Sequence, residues 1–174
     1  MEDFFLTCPR GLEDITAKQI SKYIKDNPVV NKGGVSFKGN ISDMYLVNLH
    51  SRTGMHLLKK IISFKARGNK ELYNRIYEYD WDKFIDSDKT FFIKSKSNSE
   101  IFNNTNFITL KIKDGIVDNI RNKTGKRPSI DKINPDIILF IIVRNDTINI
   151  YVDSSGDPLF KRGYRTKIHK AALN

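Results

Sequence analysis

The chain opens on Phe4-Phe5-Leu6-Thr7-Cys8-Pro9-Arg10-Gly11-Leu12, and this stretch decides the fold. Its five leading apolar or β-branched residues predict a buried strand, which Pro9 and Gly11 end. Apolar residues then recur at helical spacing, so the segment 12–25 is predicted to be a helix. A strand joined to a helix by so short a turn begins a β-α-β arrangement.

Two more strands, a second helix and a fourth strand are predicted to follow. The strands at Pro28–Asn31 and Gly34–Lys38 flank a glycine turn, the helix spans Ile41–Ser51, and the last strand spans Met55–Phe64. The order β-α-β-β-α-β is that of a ferredoxin-like unit, with two helices on one face of a four-stranded antiparallel sheet. We therefore expect residues 1–64 to form a separate ferredoxin-like domain.

A second unit of helices and strands is predicted over residues 65–155. Its strongest element is a helix over Phe107–Lys123, where isoleucine occupies every fourth position from 108 to 120. A strand over Thr90–Lys96 precedes this helix, and a hairpin over 136–152 follows it. The predicted fold class is α+β, a ferredoxin-like unit followed by an α/β domain.

The last residues, 156–174, are predicted to be a basic linker. A turn around Gly156 leads into a tract that carries five Lys or Arg residues and no acid after Asp157. The sequence ends at Asn174, four residues into a helical pattern that has no stop signal. We therefore expect a further folded domain to follow the linker.

The composition favours a folded protein with a polyanionic partner. Apolar residues make up 39% of the chain, which suffices for a core, and no apolar run is long enough to span a membrane. The net charge is +10. Residues 1–64 carry nine Lys or Arg and six Asp or Glu, a net +3, whereas residues 65–174 carry twenty-one and fourteen, a net +7. This excess in the second half indicates a nucleic-acid-binding face there.

Residues suited to redox chemistry or metal binding are scarce. The single cysteine, Cys8, excludes internal disulfides, and with no basic secretory leader the protein is expected to be cytoplasmic. His50 and His56 are expected to be ordinary surface or half-buried side chains. The acidic run Glu78–Asp88 is interleaved with apolar residues and is predicted to be a solvated face around a buried Trp81. No metal site is expected.

The candidate phosphate-binding residues lie on the predicted helix 107–123, its exit, the strand before it and the linker. We expect the cations of the strand and the helix to share one positive face of the second domain. Tyr164 adds a ring that can stack on a base. The full set is Lys94, Lys96, Lys111, Lys113, Arg121, Lys123, Lys126, Arg127, Lys161, Arg162, Tyr164 and Arg165.

Other roles stay open for some of these residues. Lys111 and Arg121 alternate with two aspartates on the helix, so intrahelical salt bridges compete with phosphate binding. Lys126 and Arg127 have few acids near them in the sequence, which favours phosphate contact. For the linker cations, packing against a neighbouring domain is the competing role.

Eight short motifs occur in order along the chain and together resemble those of one protein family. They are Arg10-Gly11-Leu12-Glu13, Gly33-Gly34-Val35 with Phe37-Lys38-Gly39, Ser51-Arg52, Lys111-Ile112-Lys113-Asp114-Gly115-Ile116-Val117-Asp118, Arg127-Pro128, Pro135-Asp136-Ile137, Asp153-Ser154-Ser155-Gly156-Asp157-Pro158-Leu159 and Arg162-Gly163-Tyr164-Arg165. This series resembles the N-terminal half of bacterial THUMP-containing guanine-N2 methyltransferases of 23S ribosomal RNA, and it covers essentially the whole chain.

The resemblance implies that the α/β unit is a THUMP domain, with a family boundary near residue 45 as the alternative to residue 65. In that family, the ferredoxin-like unit and the THUMP domain present RNA to a Rossmann-like catalytic domain that uses S-adenosylmethionine. The implied partners are 23S rRNA and the protein's own catalytic domain. The implied cofactor is S-adenosylmethionine in the full-length parent, with neither a catalytic residue nor a cofactor site in this chain.

The residues agree with a chain that lacks the chemistry of methyl transfer. Such chemistry needs a Gly-rich cofactor loop after a strand and an Asn-Pro-Pro-aromatic motif, and neither is present. Asn134-Pro135-Asp136 is expected to mark the entry to a strand. Asp153-Ser154-Ser155-Gly156 is expected to be a turn at a domain edge, because Pro158 and a basic tract follow it instead of a helix.

Two alternatives to an rRNA-binding role stay open. The chain could mainly scaffold protein contacts, either with its own catalytic domain or with a second subunit. It could also be the RNA-binding part of a tRNA-modifying enzyme, because THUMP domains serve such enzymes too. Salt dependence separates the first alternative from RNA binding, since phosphate contacts weaken steeply with salt and apolar contacts do not.

Overall fold

The computed structural model describes residues 1–163, which fold as two compact units. Unit 1 combines Met1–Leu57 with the segment that starts at Ser154, and unit 2 is Leu58–Asp153. Each unit contains both helices and strands, so the predicted α+β class is confirmed. The chain divides at Leu57, the first residue of a strand, rather than after residue 64.

Unit 1 contains three strands and two helices in the predicted order. They are β1 (Glu2–Thr7), α1 (Glu13–Ile20), β2 (Val29–Asn31), β3 (Gly34–Gly39) and α2 (Ile41–His50). The middle strand, β3, pairs antiparallel with both β1 and β2. Apolar side chains of β1, β3 and both helices form the core, in which the rings of Phe4 and Phe37 stack with their centroids 5.3 Å apart.

Local hydrogen bonds set the start of helix α2 and the end of helix α1. Asn40 caps α2 by accepting hydrogen bonds from two backbone N–H groups in its first turn. Helix α1 ends at Ile20, five residues before the predicted end, because the Tyr23 N–H donates to the Ile20 carbonyl and closes a turn. Asp26 then accepts a hydrogen bond from the Lys38 N–H at 2.6 Å, which ties the chain to β3 instead of to the helix.

The fourth predicted strand does not complete a separate sheet over residues 1–64. This strand, β4 (Leu57–Lys65), pairs antiparallel from Leu58 onward with β8 (Thr147–Asp153) in unit 2. The strand order β2-β3-β1-β4 is the ferredoxin-like order that the sequence predicts, but the pairing of β4 with β8 means that the sheet is not confined to residues 1–64. The alternation of side chains in a strand shows which ones face a core, but it does not show which strand lies alongside.

Unit 2 contains β4 and β8 together with three further strands and two helices. These are α3 (Asn69–Tyr77), β5 (Thr90–Asn98), α4 (Thr105–Thr124), β6 (Ser129–Ile130) and β7 (Ile137–Arg144). The strand order is β4-β8-β7-β5-β6, in which β5 pairs parallel with β6 and β7 and the other pairs are antiparallel. The predicted β7–β8 hairpin is confirmed, and the two-residue β6 is an addition that the sequence did not predict.

Helices α3 and α4 approach each other closely at Gly115. A Cβ atom at this position would lie 2.8 Å from Cγ2 and 3.1 Å from Cβ of Ile76, which is fully buried. Close by, the side chain of Asn119 donates to the Tyr77 carbonyl at 2.6 Å and fixes the same contact. A glycine therefore stands in this isoleucine-rich helix because the neighbouring helix leaves no room for a side chain.

Gly115→Ala should lower the free energy of unfolding by about 1–2 kcal/mol, because the overpacking outweighs the ~1 kcal/mol gain in helix propensity. Urea unfolding measures the change. Asn122→Ala, at an exposed position of the same helix, is the matched control and should change stability by less than about 0.5 kcal/mol. A Gly115→Ala protein that is more stable than wild type would contradict the close packing of α3 and α4.

Candidate nucleic-acid interface

Helix α4 buries its isoleucines and carries four of the twelve predicted phosphate-binding residues, Lys111, Lys113, Arg121 and Lys123. All four isoleucines expected in the core are buried, as predicted. Asn104 caps the start of the helix, and Gly125, with φ 73°, supplies the left-handed residue that ends it. Arg121 and Arg127 are exposed at the end of the helix and in its exit loop, and Lys111 lies 5.8 Å from the centre of the Phe107 ring.

Lys123 and Lys126 are engaged by aspartates from the acidic run before β5. The Nζ of Lys123 contacts carboxylate oxygens of Asp80 and Asp82, and the Nζ of Lys126 lies 2.9 Å from Oδ1 of Asp88. These hydrogen bonds raise the pKa of both lysines, so both carry their charge at neutral pH. The expectation that Lys126 has few acids near it is wrong, because the fold brings in acids from about forty positions earlier in the chain.

The two aspartates on α4 do not form the expected pairs with Lys111 and Arg121. Asp114 pairs with Lys113 at 2.8 Å, and Asp118 accepts a hydrogen bond from the hydroxyl of Tyr73 on α3, also at 2.8 Å. In all, six predicted cations of α4 and its exit face five carboxylates. The cations are Lys111, Lys113, Arg121, Lys123, Lys126 and Arg127, and the carboxylates are Asp80, Asp82, Asp88, Asp114 and Asp118. Three of the six cations on the surface that the sequence predicts to be strongly positive, Lys113, Lys123 and Lys126, are therefore paired with carboxylates.

The Tyr73–Asp118 contact predicts a pH dependence of stability. The hydrogen bond to the carboxylate raises the pKa of Tyr73 from its usual 10.0 to about 12, because deprotonation would place two anions in contact. Since the pKa is higher in the folded state, this contribution to stability is complete below pH ~10 and is lost as the pH rises to ~12.

Asp118→Asn should therefore move the titration of Tyr73 back towards pH ~10 and weaken the loss of stability between pH ~10 and ~12. The absorbance of tyrosinate measures the titration, and Tyr73→Phe identifies which part of the absorbance change belongs to this residue. An absorbance titration that is the same in wild type and in Asp118→Asn would contradict the assignment.

Lys94 and Lys96 lie on the other face of the unit 2 sheet. Ile93 of β5 is buried in the cluster that contains the α4 isoleucines, and the next side chain on that face, Ser95, is hydrogen-bonded to Thr109 of α4 at 2.7 Å. Because side chains alternate along a strand, Lys94 and Lys96 point away from α4. Lys94 instead lies 5.1 Å from the centre of the Phe140 ring on β7. The expectation of one positive face shared by the strand and the helix is therefore wrong.

Arg162 is anchored to the end of helix α2. Its guanidinium donates to the carbonyls of Asn48 and Ser51 at 2.6 and 2.8 Å, to that of Leu49, and through Nε to that of Leu159 at 2.7 Å. Four of the five N–H donors are used, and the positive charge sits at the negative end of the helix dipole. Neither of the two roles left open for the linker cations, phosphate contact or packing against a neighbouring domain, includes this anchoring within unit 1.

The remaining predicted linker residues are Lys161, Tyr164 and Arg165. Lys161 is exposed. Tyr164 and Arg165 lie outside the described residues. The turn before them stands at the unit boundary, as predicted, where Ser154 Oγ donates to the Leu57 carbonyl and Ser155 Oγ accepts from the Leu57 N–H, both at 2.8 Å.

Arg162→Lys should destabilise unit 1 by about 1–3 kcal/mol although it keeps the charge, because an ammonium group cannot reach several carbonyls at once. Urea unfolding and the rate of proteolytic cleavage after residue 155 measure the effect. Lys161→Gln, at the exposed neighbouring position, is the control and should unfold like wild type. Equal unfolding of the Arg162→Lys and wild-type proteins would show that Arg162 is not an anchor.

In unit 1, the structure brings together one group of residues that was not predicted from the sequence. Lys22, Tyr23, His50 and Arg52 line a single cavity, although they come from two separate segments. His50, expected to be an ordinary histidine, stacks on Tyr23 with a ring-to-ring distance of 4.5 Å. Two sequence features pointed to these residues, the Ser51-Arg52 motif and the positive charge of Lys22. Helical spacing, however, does not show which residues near the ends of two different helices lie side by side.

Comparison with known proteins agrees with this two-part architecture. Residues 66–153 match the THUMP domain, and residues 3–58 match the RlmL ferredoxin-like domain. The chain belongs to the THUMP domain family. The resemblance inferred from the eight motifs is therefore confirmed. The THUMP match begins at residue 66, directly after the end of β4 and next to the expected boundary at residue 65.

The relatives of this THUMP chain include two ribosomal RNA methyltransferases. The ribosomal RNA large subunit methyltransferase K/L of Psychromonas ingrahamii is 35% identical over 173 residues, which are 99% of this chain and 23% of that protein. The protein of the same name from Pseudomonas aeruginosa is 30% identical over 171 residues, which are 98% of this chain and 24% of that protein. The chain thus spans about a quarter of the length of these relatives.

A solved structure shares the fold along almost the whole chain. SMU.472, a candidate methyltransferase crystallised with SAH, has a TM-score of 0.82 and 26% identity over 95% of this chain and 45% of its own. Among residues 1–163, no helix combines the length and the apolar character that crossing a membrane requires.

Proposed function

We propose that this chain is the RNA-binding, substrate-presenting part of an S-adenosylmethionine-dependent guanine-N2 methyltransferase of 23S ribosomal RNA in the cytoplasm. The observation that carries the proposal is the similarity along 98% or 99% of the chain to relatives named ribosomal RNA large subunit methyltransferases. The structure of SMU.472 with SAH, a product of methyl transfer from S-adenosylmethionine, supports the choice of cofactor for the full-length protein.

The distribution of charge supports contact with RNA through phosphates. The whole chain carries +10, so a polyanion is attracted to it even though some of its lysines are paired with aspartates. On unit 2, Arg121 and Arg127 are exposed and have no ion pair within residues 1–163, so their guanidinium groups are available to bind phosphates. Lys123 and Lys126 stand beside them but must first leave their aspartates, which lowers their contribution.

The proposal assigns methyl transfer to a catalytic domain outside this chain. No Gly-rich cofactor loop follows a strand in the sequence, and Asn134-Pro135-Asp136 has a structural role. The Asp136 carboxylate accepts hydrogen bonds from the N–H and the hydroxyl of Thr90 at 2.8 and 2.9 Å, so it ties the start of β7 to the start of β5. These bonds lower the pKa of Asp136 and keep it ionised.

Binding of the isolated chain to a 23S rRNA hairpin at several salt concentrations tests the proposal. If about five phosphates are neutralised, the slope of log K against log salt should be roughly −3 to −5. Arg121→Gln with Arg127→Gln should flatten the slope by about 1.5 and weaken binding to different RNAs similarly, because phosphate contacts position more than they specify.

The matched control for this pair is Arg10→Gln with Arg67→Gln, which removes the same charge from two other exposed arginines. This control should keep a slope closer to that of wild type. Binding that ignores salt would favour the scaffolding alternative. Methyl transfer to RNA by the isolated chain from labelled S-adenosylmethionine would overturn the assignment of the chemistry to another domain.

A further inference from the structure

Unit 1 contains an open cavity of about 820 Å³ beside the ends of helices α1 and α2. Its wall includes Lys22 and Tyr23 from the turn after α1, His50 and Arg52 from the end of α2, and Phe160 from the returning segment. The volume is in the range of about 300–1,000 Å³ that is usual for sites that hold small ligands. We refer to it as the α1–α2 cavity.

The aromatic rings of the α1–α2 cavity form a stacking platform. The rings of Tyr23 and His50 are nearly parallel, 8° apart, with their centroids separated by 4.5 Å. His50 is exposed, and Phe160, on the same wall, is 54% exposed. Exposed rings beside a cavity offer their faces to another flat ring, and nucleic-acid bases stack on such faces irrespective of their sequence.

The charges of the cavity are positive and uncompensated. Lys22 and Arg52 line it without an ion pair among residues 1–163, and the lining residues include no Asp or Glu. This differs from the end of α4, where aspartates pair with Lys123 and Lys126. A phosphate group that enters the cavity meets two available cations and no repelling carboxylate on its wall.

The carbonyl groups at the two helix ends do not cancel this charge. The C-terminal end of a helix is negative and would repel an anion. At the end of α2, however, the Arg162 guanidinium takes up the carbonyls of Asn48, Leu49 and Ser51. At the end of α1, backbone N–H groups of Ser21 and Tyr23 take up carbonyls of the last turn. Arg162 thus adds a positive charge to the wall and removes the acceptors that would oppose a phosphate.

The fixed position of Arg52 supports a preformed site. The Gln19 side-chain oxygen accepts a hydrogen bond from the Arg52 N–H at 2.9 Å and from the Thr53 hydroxyl at 3.3 Å. This joins the loop after α2 to Gln19 of helix α1, and both Gln19 and Arg52 line the cavity. The backbone at Arg52 is therefore held in place before any ligand binds, which reduces the entropy that binding must cost.

We propose that the α1–α2 cavity binds an unpaired nucleotide of the RNA, with its base stacked on the Tyr23–His50 pair and its phosphates contacted by Lys22 and Arg52. The inference rests on the proposed RNA-binding function and adds to it a site in the ferredoxin-like unit. Such a site selects RNA in which a single-stranded segment adjoins a helix, since a base within a duplex cannot leave its neighbours to stack on protein rings without a cost of a few kcal/mol.

The test compares two RNAs that share one hairpin, of which one is blunt and the other carries a four-nucleotide single-stranded extension containing 2-aminopurine. The whole chain is titrated with each at one salt concentration. Wild type should bind the extended RNA about tenfold more tightly and quench the 2-aminopurine fluorescence by stacking. Lys22→Gln with Arg52→Gln should remove about tenfold of the affinity for the extended RNA and about twofold or less for the blunt one.

Matched variants separate the cavity from general charge and from folding. Lys25→Gln with Arg10→Gln also removes one exposed lysine and one exposed arginine of unit 1, but neither residue lines the cavity, so the preference for the extended RNA should stay. His50→Ala should abolish the quenching and lower affinity by about fivefold or more, and His50→Phe, which restores a flat ring, should recover both.

The outcomes distinguish failure of the site from failure of the proposed function. If wild type binds neither RNA, both proposals are overturned. If wild type binds both RNAs equally, or if Lys22→Gln with Arg52→Gln keeps the preference for the extension, the cavity is not a nucleotide site although the chain binds RNA. Quenching that persists in His50→Ala would place the base elsewhere, and free AMP that competes as strongly as the extended RNA would assign the cavity to a mononucleotide instead.

Discussion

The carbonyl groups at the end of helix α2 need hydrogen-bond donors, and the chain supplies them from a guanidinium more than a hundred residues later. Arg162 reaches Asn48 across 114 positions of sequence and Ser51 across 111. The same return is fixed by Leu159, which is buried in the core of unit 1, and by the serines that bond Leu57. The segment after Ser154 therefore completes the core of unit 1. The same segment supplies part of the wall of the α1–α2 cavity.

Much of the local structure followed from residue spacing. Helix α4 was predicted to within two residues at its start and one at its end, because four isoleucines at every fourth position can face a single core only in a helix. Helix α1 was predicted five residues too long, since Tyr23 and Ile24 continue the apolar spacing of the helix. In the structure, however, Tyr23 lies in a turn and stacks on His50, and Ile24 is buried in the core beyond the end of the helix. Strand β4 was predicted in place, but its partner β8 is about ninety residues away and leaves no periodic signal.

The candidate site was harder to predict than the fold because the carboxylate that pairs with a cation can come from a distant part of the sequence. Lys126 has few acids near it in the sequence, yet Asp88 binds it from 38 positions earlier. Lys22 and Arg52 are thirty positions apart in the sequence, yet they share a cavity wall that includes no carboxylate. What a phosphate meets at a surface is the local balance of charges, so the net charge of +10 indicated the kind of partner but not the place where it binds.

The division of the chain also sets an order for folding during synthesis. Unit 2 is one continuous stretch, Leu58–Asp153, whereas unit 1 is interrupted and regains its last core residue only at Leu159. Domains usually fold in the order in which the ribosome makes them. Here the first fifty-seven residues emerge without Leu159 or Arg162, so their core is completed only after about a hundred further residues have been made. Unit 1 is therefore the later of the two units to complete its fold. Its core stays incomplete until the THUMP domain, unit 2, has been synthesised and Leu159 follows.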